Sequence, residues 1–407
     1  MSEILFLAHR VPFPPNRGDK IRSHHLLRKL ATIAPVHVGC FSESAEDRAS
    51  VGEVDAISAS HCVVQRSKPL VLAGAQAVLT GQPLSLTAFH SAKLEGWVRR
   101  TVTQRPISTI FVFSGQMGQY IPEDFQGRVI IDLCDVDSAK FENYAAAGER
   151  VWINSREARL LSAEEERLAH RSDGTLLITQ AEAELFRARL TDPTSCRIEV
   201  IGNGIDAGAF GCQGVKAHTE MALEHGPHFV FTGQMDYRPN ESAALWAIQS
   251  FLPEAQKRYP GAQFHVVGRN PTAELLKHKS TPGVRIWGEV PDVRPFVASA
   301  TCVLAPLQIA RGVQNKVLEA MAMARPVLLT PQAATGIDAV DGMHWMVEGG
   351  DAAAMLDRFD ALMAKPGSAE RMGEAARAFV VGNHAWEAML APLEAFVEPN
   401  QDVRNAA

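Results

Sequence analysis

The chain has 407 residues, of which 46% are hydrophobic and 21% charged, and this length suits two domains with full cores. The formal net charge of −6 gives no sign of nucleic-acid binding. The six cysteines are scattered without a CxxC pair, the start of the chain lacks a secretory-signal pattern, and the longest apolar run (69–79) is too short to span a membrane. A cytoplasmic protein is the expectation.

The first half of the chain begins with an apolar run at Ile4–Ala8, which predicts a buried parallel strand. A proline-rich loop follows, and then a helix over 20–31. The loop lacks the G-x-G-x-x-G fingerprint, which argues against a dinucleotide-dependent dehydrogenase. Arg22 lies one turn inside this helix, where positive charge at the helix start makes it a candidate for anion binding. For Arg22 the alternative is an ordinary solvated helix end, which is also the interpretation for Lys20, and Asp19 is the expected N-cap.

An apolar helix is predicted over 69–81, between predicted strands at 61–65 and 109–114. Basic residues flank it and the amphipathic helix over 92–103 that follows: Arg66, Lys68, Arg99 and Arg100. This pattern allows two interpretations. One is peripheral contact with an anionic membrane surface, and the other is a buried layer of the first domain.

The predicted strand Val129–Leu133 ends in an acidic segment that contains Asp135 and Asp137. Ligands of open α/β sheets bind beyond the carboxyl ends of the strands, so both carboxylates are candidate catalytic groups. The alternative is that one of them caps the following helix, predicted over 139–172. Further strands at 174–179 and 197–201 complete a first domain.

Residues 207–226 have weak periodicity and indicate a linker. A second set of strands and helices begins at His228–Thr232, and its most informative stretch is Cys302–Thr330. That stretch predicts a strand, a loop closing on Gly312, a helix over 313–323 and a second strand.

Lys316 and Glu319 lie three residues apart on that predicted helix and so share a face. The lysine and the backbone after Gly312 suit phosphate charge, and the carboxylate suits a ribose diol. A surface Lys–Glu pair on an ordinary βαβ unit is the alternative.

The string VQNKVLEAMAMARPVLL, over 313–329, resembles the donor-nucleotide segment of GT-B glycosyltransferases of the family 4 type. The longer PLQIARGVQNKVLEAMA and the earlier IDLCDVDSAKFENYA resemble one branch, the sugar transferases associated with the PEP-CTERM/exosortase exopolysaccharide system. The resemblance implies an α/β fold with two Rossmann-like doubly wound domains facing a central cleft. The predicted limits are 1–206 (acceptor side), 207–226 (linker), 227–385 (donor side) and 386–407 (closing helix and tail).

The resemblance also implies roles for single residues. Glycines after the strands and nearby cations hold the donor phosphates, the backbone at Val290 holds the base, and Glu319 holds the ribose. The complete predicted donor set is Gly18, Arg22, Gly233, Arg238, Arg269, Val290, Gly312, Val313, Lys316 and Glu319. The chain departs from the family pattern at three positions. Gln234 and Pro239 replace phosphate-binding cations, and Arg311 replaces the first glutamate of a pair.

The implied reaction is retaining sugar transfer from a nucleotide-diphosphate sugar to a glycan or lipid-linked acceptor, without metal or other cofactor. Asp135, Asp137 and Arg311 are the predicted catalytic residues, and the expected location is the cytoplasm or the inner face of the membrane. Two alternatives stay open: a nucleotide-sugar epimerase, and a catalytically weak subunit that binds a sugar nucleotide or a glycan, which the three departures keep open.

Overall fold

The computed structural model describes residues 2–211, 214–310, 313–349 and 351–397. The chain divides into two compact units. One comprises 2–203 together with 389–397, and the other is Gly204–Ala388. The predicted limits at 206, 226 and 385 remain predictions about independently folding domains.

The first unit contains a seven-stranded parallel sheet in the order β3-β2-β1-β4-β5-β6-β7. Every residue of β1 is buried, because its continuous apolar run serves both faces of a covered parallel sheet. The strand order reverses direction between β1 and β4, which is where such sheets bind ligands. The strands are β1 Glu3–Ala8, β2 Val36–Ser42, β3 Ser60–Gln65, β4 Ile107–Phe113, β5 Arg128–Cys134, β6 Gly174–Leu177 and β7 Ile198–Val200.

Helices connect these strands, and some predicted helices are divided. The predicted helix over 139–172 is two helices, because Gly148 and Arg150 adopt positive φ angles of 82° and 39° between them. The segment Gly115–Tyr120 is a 3₁₀ helix. The α-helices are α1 Gly18–Ile33, α2 Ala45–Ala49, α3 Val51–Ile57, α4 Leu70–Thr80, α5 Leu84–Ala88, α6 Ala92–Gln104, α7 Asp137–Ala146, α8 Val151–Arg171 and α9 Gln180–Arg187.

The apolar helix α4 is not a buried layer. Only Ala73 and Ala77 are buried, while Leu70, Val71 and Leu79 are exposed. The second interpretation of this segment is therefore wrong. Across the described ranges, no helix has the length and apolar character needed to cross a bilayer.

The second unit contains a six-stranded parallel sheet in the order β10-β9-β8-β11-β12-β13. Its core contains an aromatic cluster, in which the Phe229 ring packs edge-on against Phe251 and Phe359, with centroids 4.9 and 5.0 Å apart. The strands are β8 His228–Thr232, β9 Gln263–Val267, β10 Val284–Gly288, β11 Cys302–Ala305, β12 Val327–Leu329 and β13 Met346–Val347.

The helices of the second unit pack on this sheet. A π-helical turn, Ala247–Phe251, joins two of them, and the predicted linker contains one short helix. The helices are α10 Thr219–Leu223, α11 Arg238–Trp246, α12 Leu252–Arg258, α13 Ala273–Leu276, α14 Arg294–Ser299, α15 Asn315–Ala322, α16 Pro331–Ala334, α17 Ala352–Met363 and α18 Ser368–Asn383.

The predicted closing helix is two short helices, α19 Trp386–Met389 and α20 Leu393–Val397, separated at Pro392. α20 belongs to the first unit, where the Arg128 guanidinium donates to the carbonyl of Phe396 at 3.0 Å. The two doubly wound parallel sheets confirm the predicted α/β class with two Rossmann-like domains.

Candidate functional site

A pocket of about 550 Å³ opens in the second unit at the carboxyl ends of β8, β9, β10 and β11. The strand order of this sheet reverses between β8 and β11, so the pocket lies where open α/β sheets bind ligands. Its lining residues are Thr232, Gly233, Gln234, Tyr237, Asn240, Val267, Gly268, Arg269, Glu289, Val290, Val293, Val313, Gln314, Asn315, Lys316 and Glu319.

Two glycines let the ends of β8 and β9 approach each other closely. Gly233 has φ of 152° and Gly268 has φ of 151°, which side chains of L-residues rarely tolerate. A Cβ atom on Gly268 would lie 1.7 Å from the Gly233 carbonyl oxygen, and one on Gly233 would lie 3.2 Å from the Lys316 Nζ. This part of the pocket is therefore lined by backbone atoms, and the Lys316 ammonium group lies close to them.

Lys316 is held in place from two sides. Its ammonium group donates to the Asn240 side-chain oxygen and lies 4.7 Å from the centre of the Phe231 ring. Asn240 is itself fixed, because its amide donates to the Gln234 carbonyl at 2.9 Å. Burial lowers the pKa of Lys316 to about 8. An anion in the pocket would stabilise the protonated form of this lysine and so raise its pKa.

Glu319 lies one turn further along α15 and also lines the pocket. Burial raises the pKa of its carboxyl group, and nearby Lys316 opposes that rise. Val313 and Gln314 bring the chain to the start of α15, and Asn315, the first residue of that helix, lines the same pocket as the lysine. The predicted residues Arg311 and Gly312 lie outside the described residues.

Arg269, Gln234 and Val290 also line the pocket. The Arg269 guanidinium donates to the Gln234 side-chain oxygen at 2.7 Å, so the glutamine positions this cation. Arg238, at the start of α11, is exposed and does not line the pocket. The structure thus brings together six predicted residues: Gly233, Arg269, Val290, Val313, Lys316 and Glu319.

A second pocket of about 490 Å³ lies in the same unit, against β13, α17 and α18. It contains Arg358, Lys365 and Arg371, but Arg358 is already paired with Asp341 at 2.5 Å. It touches neither the glycine turns nor the central strand ends. The first pocket is therefore the better candidate site.

In the first unit, Arg22 is used internally. It is 2% exposed, and its guanidinium lies 2.8 Å from the Asp132 carboxylate and 3.0 Å from the Asn203 side-chain oxygen. The alternative of a solvated helix end is wrong for this residue. Gly18 stands at the start of α1, with no atom within 4 Å of where its Cβ would be.

Lys20 and Asp19 differ from expectation as well. Lys20 is not a solvated helix end, because it is buried and forms an ion pair with Asp47 at 2.6 Å. Asp19 is not the N-cap of α1: its carboxylate binds the guanidinium of Arg10 and the imidazole of His9.

Asp135 and Asp137 lie at the carboxyl end of β5, as predicted from the sequence. Burial raises the pKa of both carboxyl groups, and for Asp135 the nearby Glu182 and Asp137 add to the rise. Neither caps α7: the N-cap residue is Val136, whose amide donates to Glu182 at 2.8 Å. The helix-capping alternative is therefore wrong.

Glu165 is a buried carboxyl group that the sequence did not reveal. It accepts hydrogen bonds from the amide and hydroxyl of Ser138, at 2.9 and 2.5 Å. Burial raises its pKa to about 7. Its position in the middle of the long charged helix α8 resembled that of any solvated glutamate.

Several pocket residues were also missed by sequence reasoning. Asn240 and Gln234 hold the cations Lys316 and Arg269, and Tyr237 and Glu289 also line the pocket. The Pro-Asn pair at the start of α11 was a usable signal for Asn240, since an amide at the first turn of a helix is well placed to reach a neighbouring loop. Within the described part of the chain, no group of three or more His, Cys, Asp or Glu side chains is placed to hold a metal ion.

Several solved structures resemble this chain over nearly its full length. Sucrose-phosphate synthase from Thermosynechococcus elongatus is 16% identical with a TM-score of 0.58, and the match covers 100% of both chains. Anabaena Alr3699/HepE, solved in complex with UDP, is 13% identical with a TM-score of 0.60 over 97% of this chain and 99% of that one. A mutant of S. aureus TarM, in complex with Fondaparinux, alpha-GlcNAc-glycerol and UDP, is 10% identical with a TM-score of 0.57 over 98% and 100%. At these identities the likeness establishes the fold class.

The family comparison concerns the second unit. Residues 226–365 match the model of the family described as "Glycosyl transferases group 1". This segment contains the whole candidate pocket. No curated protein sequence matches the chain.

Proposed function

We propose that this protein is a glycosyltransferase that transfers a sugar from a nucleotide-diphosphate sugar to a hydroxyl group. One observation carries the proposal: Lys316, Glu319 and the two glycine turns converge on one pocket inside the segment that matches the glycosyltransferase family. The two relatives solved with UDP support a uridine nucleotide as the first donor to test.

The donor would be held by complementary chemistry. Lys316 and the first amides of α15 neutralise the diphosphate, and the bare backbone at Gly233 lets it approach. Glu319 accepts hydrogen bonds from the ribose hydroxyls, and the backbone at Val290 holds the edge of the base. Arg269 supplies a second cation, positioned by Gln234.

We further propose the finer features that the family resemblance implies. The enzyme is of the family 4 type, retains the anomeric configuration, needs neither metal nor another cofactor, and transfers a hexose. Its acceptor is a glycan or lipid-linked intermediate of an exopolysaccharide pathway of the PEP-CTERM/exosortase kind, at the cytoplasmic side of the membrane. Gly18, Arg22, Arg238, Arg311 and Gly312 stay predictions as donor-site residues.

For the acceptor hydroxyl, we propose Asp135 and Asp137 as the groups that hold or remove its proton. Their raised pKa values bring them closer to the range in which a carboxylate is an effective base. Asp137→Asn should lower kcat by about 100-fold while leaving nucleotide affinity unchanged. An equal loss of UDP affinity would contradict this role. Arg311 stays a predicted catalytic residue.

The decisive experiment is calorimetric titration with UDP- and GDP-sugars, combined with an assay of nucleoside-diphosphate release. We expect binding to one nucleotide class, and Glu319→Ala should weaken it by about 10- to 100-fold because a charged hydrogen-bond partner is lost. Glu254→Ala, on the surface of α12, is the matched control and should bind normally.

Each other outcome has a clear meaning. Absence of binding to any nucleotide sugar would overturn the proposal. Binding without turnover would favour the sugar-nucleotide-binding subunit, for which the absence of family cations at Gln234 and Pro239 already argues. Epimerisation of free donor without an acceptor would favour the epimerase.

A further inference from the structure

Helix α4 presents an apolar face to solvent. Val71, Ala75, Val78 and Leu79 follow the i, i+4, i+7, i+8 spacing of one helical face, and the buried Ala73 lies opposite. Val71 is 83% exposed and Leu79 is 87% exposed. The outward face of a helix in a water-soluble domain normally carries charged or polar residues, and no residue of α4 is charged. None of the residues that the structure describes covers this face.

A second helix adds to the same surface. Arg156 of α8 donates to the carbonyls of Ala77 and Gln82, at 2.6 and 3.1 Å, which ties α8 to the end of α4. Trp152 lies one turn before Arg156 on the same helical face and is 70% exposed. We call this surface the α4 face; its members are Leu70, Val71, Leu72, Val78, Leu79 and Trp152.

A lysine, Lys68, lies beside α4. The stretch 56–94 contains no acidic residue, although its Arg66 is paired with the Glu43 carboxylate at 2.5 Å. Lys68 donates to two neutral oxygens, those of the Gln76 side chain and the Thr87 backbone, at 3.0 and 2.9 Å. These contacts fix the lysine beside α4 without neutralising it.

An occupant of this face must therefore be apolar inside and negatively charged at its surface. A two-fold contact between copies of this chain would bring the two Lys68 ammonium groups into the same interface, which is unfavourable. A bilayer with anionic lipid meets both requirements, because its acyl chains accept the leucine and valine side chains and its headgroups attract the lysines. Tryptophan is enriched at that boundary.

We propose that the α4 face lies on an anionic membrane surface, with α4 parallel to the plane of the bilayer. The proposal does not depend on the donor pocket, because every residue of the face belongs to the first unit. It gives the enzyme direct access to an acceptor carried on a lipid.

The test is vesicle flotation with the full chain. Vesicles of phosphatidylcholine with about 30% phosphatidylglycerol are compared with pure phosphatidylcholine. The wild type should float with the anionic vesicles only, and Val71→Glu/Leu79→Glu should reduce the bound fraction by about tenfold or more. Leu223→Glu, at a leucine that is 76% exposed in the second unit, is the control and should float like the wild type.

Three results would overturn the proposal. One is equal flotation with anionic and neutral vesicles, or flotation with neither. Another is an equal loss of the vesicle-bound fraction in Leu223→Glu. The third is self-association in gel filtration that the double variant abolishes, which would assign the face to a second copy. UDP binding of the double variant is measured in parallel, so that failure of the membrane proposal and failure of the donor site are distinguished.

Discussion

The two units have the same parallel-sheet architecture but use charge at the strand ends in opposite ways. In the first unit, Arg22 pairs with Asp132 and Lys20 pairs with Asp47, both inside the protein. In the second unit, Lys316 is held by the neutral Asn240, and Arg269 is held by the neutral Gln234.

This difference indicates how a cation is kept available for a ligand. A partner with full opposite charge satisfies a buried cation and locks it into the fold. A neutral amide orients the cation and leaves its charge for an incoming anion. Lys316 and Arg269 therefore keep a charge that an anion can use, whereas the charges of Arg22 and Lys20 are matched within the first unit.

The strongest test of the comparison is Arg22→Met. It leaves Asp132 buried without its partner, so we expect the first unit to lose about 3–5 kcal/mol of stability. Denaturant unfolding measures that loss, and calorimetry should show UDP affinity unchanged. The double variant Arg22→Met/Asp132→Leu removes both charges and should regain most of the stability. A large loss of UDP affinity in either folded variant would contradict the comparison and favour a role for Arg22 at the donor.

The backbone of the second unit is tested by Gly268→Ala. The new methyl group would overlap the Gly233 carbonyl, so we expect a loss of about 3 kcal/mol or more and no UDP binding. Gly342→Ala is the control: its φ is also positive, at 76° against 151° for Gly268, but there is open space around its Cβ position, and the change should cost about 1 kcal/mol. Equal unfolding midpoints for the two variants would show that the close approach is not needed.

Lys316→Met tests, at a single side chain, whether a cation held by a neutral partner binds the ligand and is not needed for stability. Removal of the ammonium group should weaken UDP binding by about 10- to 30-fold, since one charge-assisted contact is lost. Stability should stay the same or rise, because a half-buried charge is removed. Titration calorimetry and thermal unfolding measure the two effects. A large fall in stability would place Lys316 among the structural cations.

The smallest expected effect is a dependence of UDP affinity on pH. The pKa of free Lys316 is about 8, below its ordinary value, so the lysine loses its proton as the pH rises through that value. UDP affinity should therefore be constant below pH 7 and fall above pH 8, by at most about tenfold per pH unit. Lys316→Met should lack this fall. An identical profile in the variant would assign the effect to another group.

Sequence patterns were sufficient for the sheets. Continuous apolar runs such as Ile4–Ala8 and Cys302–Ala305 are buried strands, because a covered parallel sheet needs apolar residues on both faces. The spacing of Lys316 and Glu319 also placed both residues at one pocket. Periodicity alone fixes which side chains share a helical face.

Whether a given charged side chain is buried or solvated was not predictable from one sequence. Arg22 and Lys20 have the same local pattern as a solvated helix start, and only the distant Asp132 and Asp47 decide their burial. The clamp from Asn240 to Lys316 joins residues far apart in the chain, so no local spacing reveals it. Helix breaks at Gly148 and Arg150 depend on single backbone angles.

The lowered pKa of Lys316 has a practical consequence. Acylating reagents attack neutral amines, and at pH 8 about half of the Lys316 side chains are neutral, against well under about 1% of ordinary lysines. Brief treatment with a limiting amount of an activated ester should therefore label this lysine ahead of the others. A bound nucleotide would shield it, so mass spectrometry of the labelled peptide becomes a direct readout of donor occupancy.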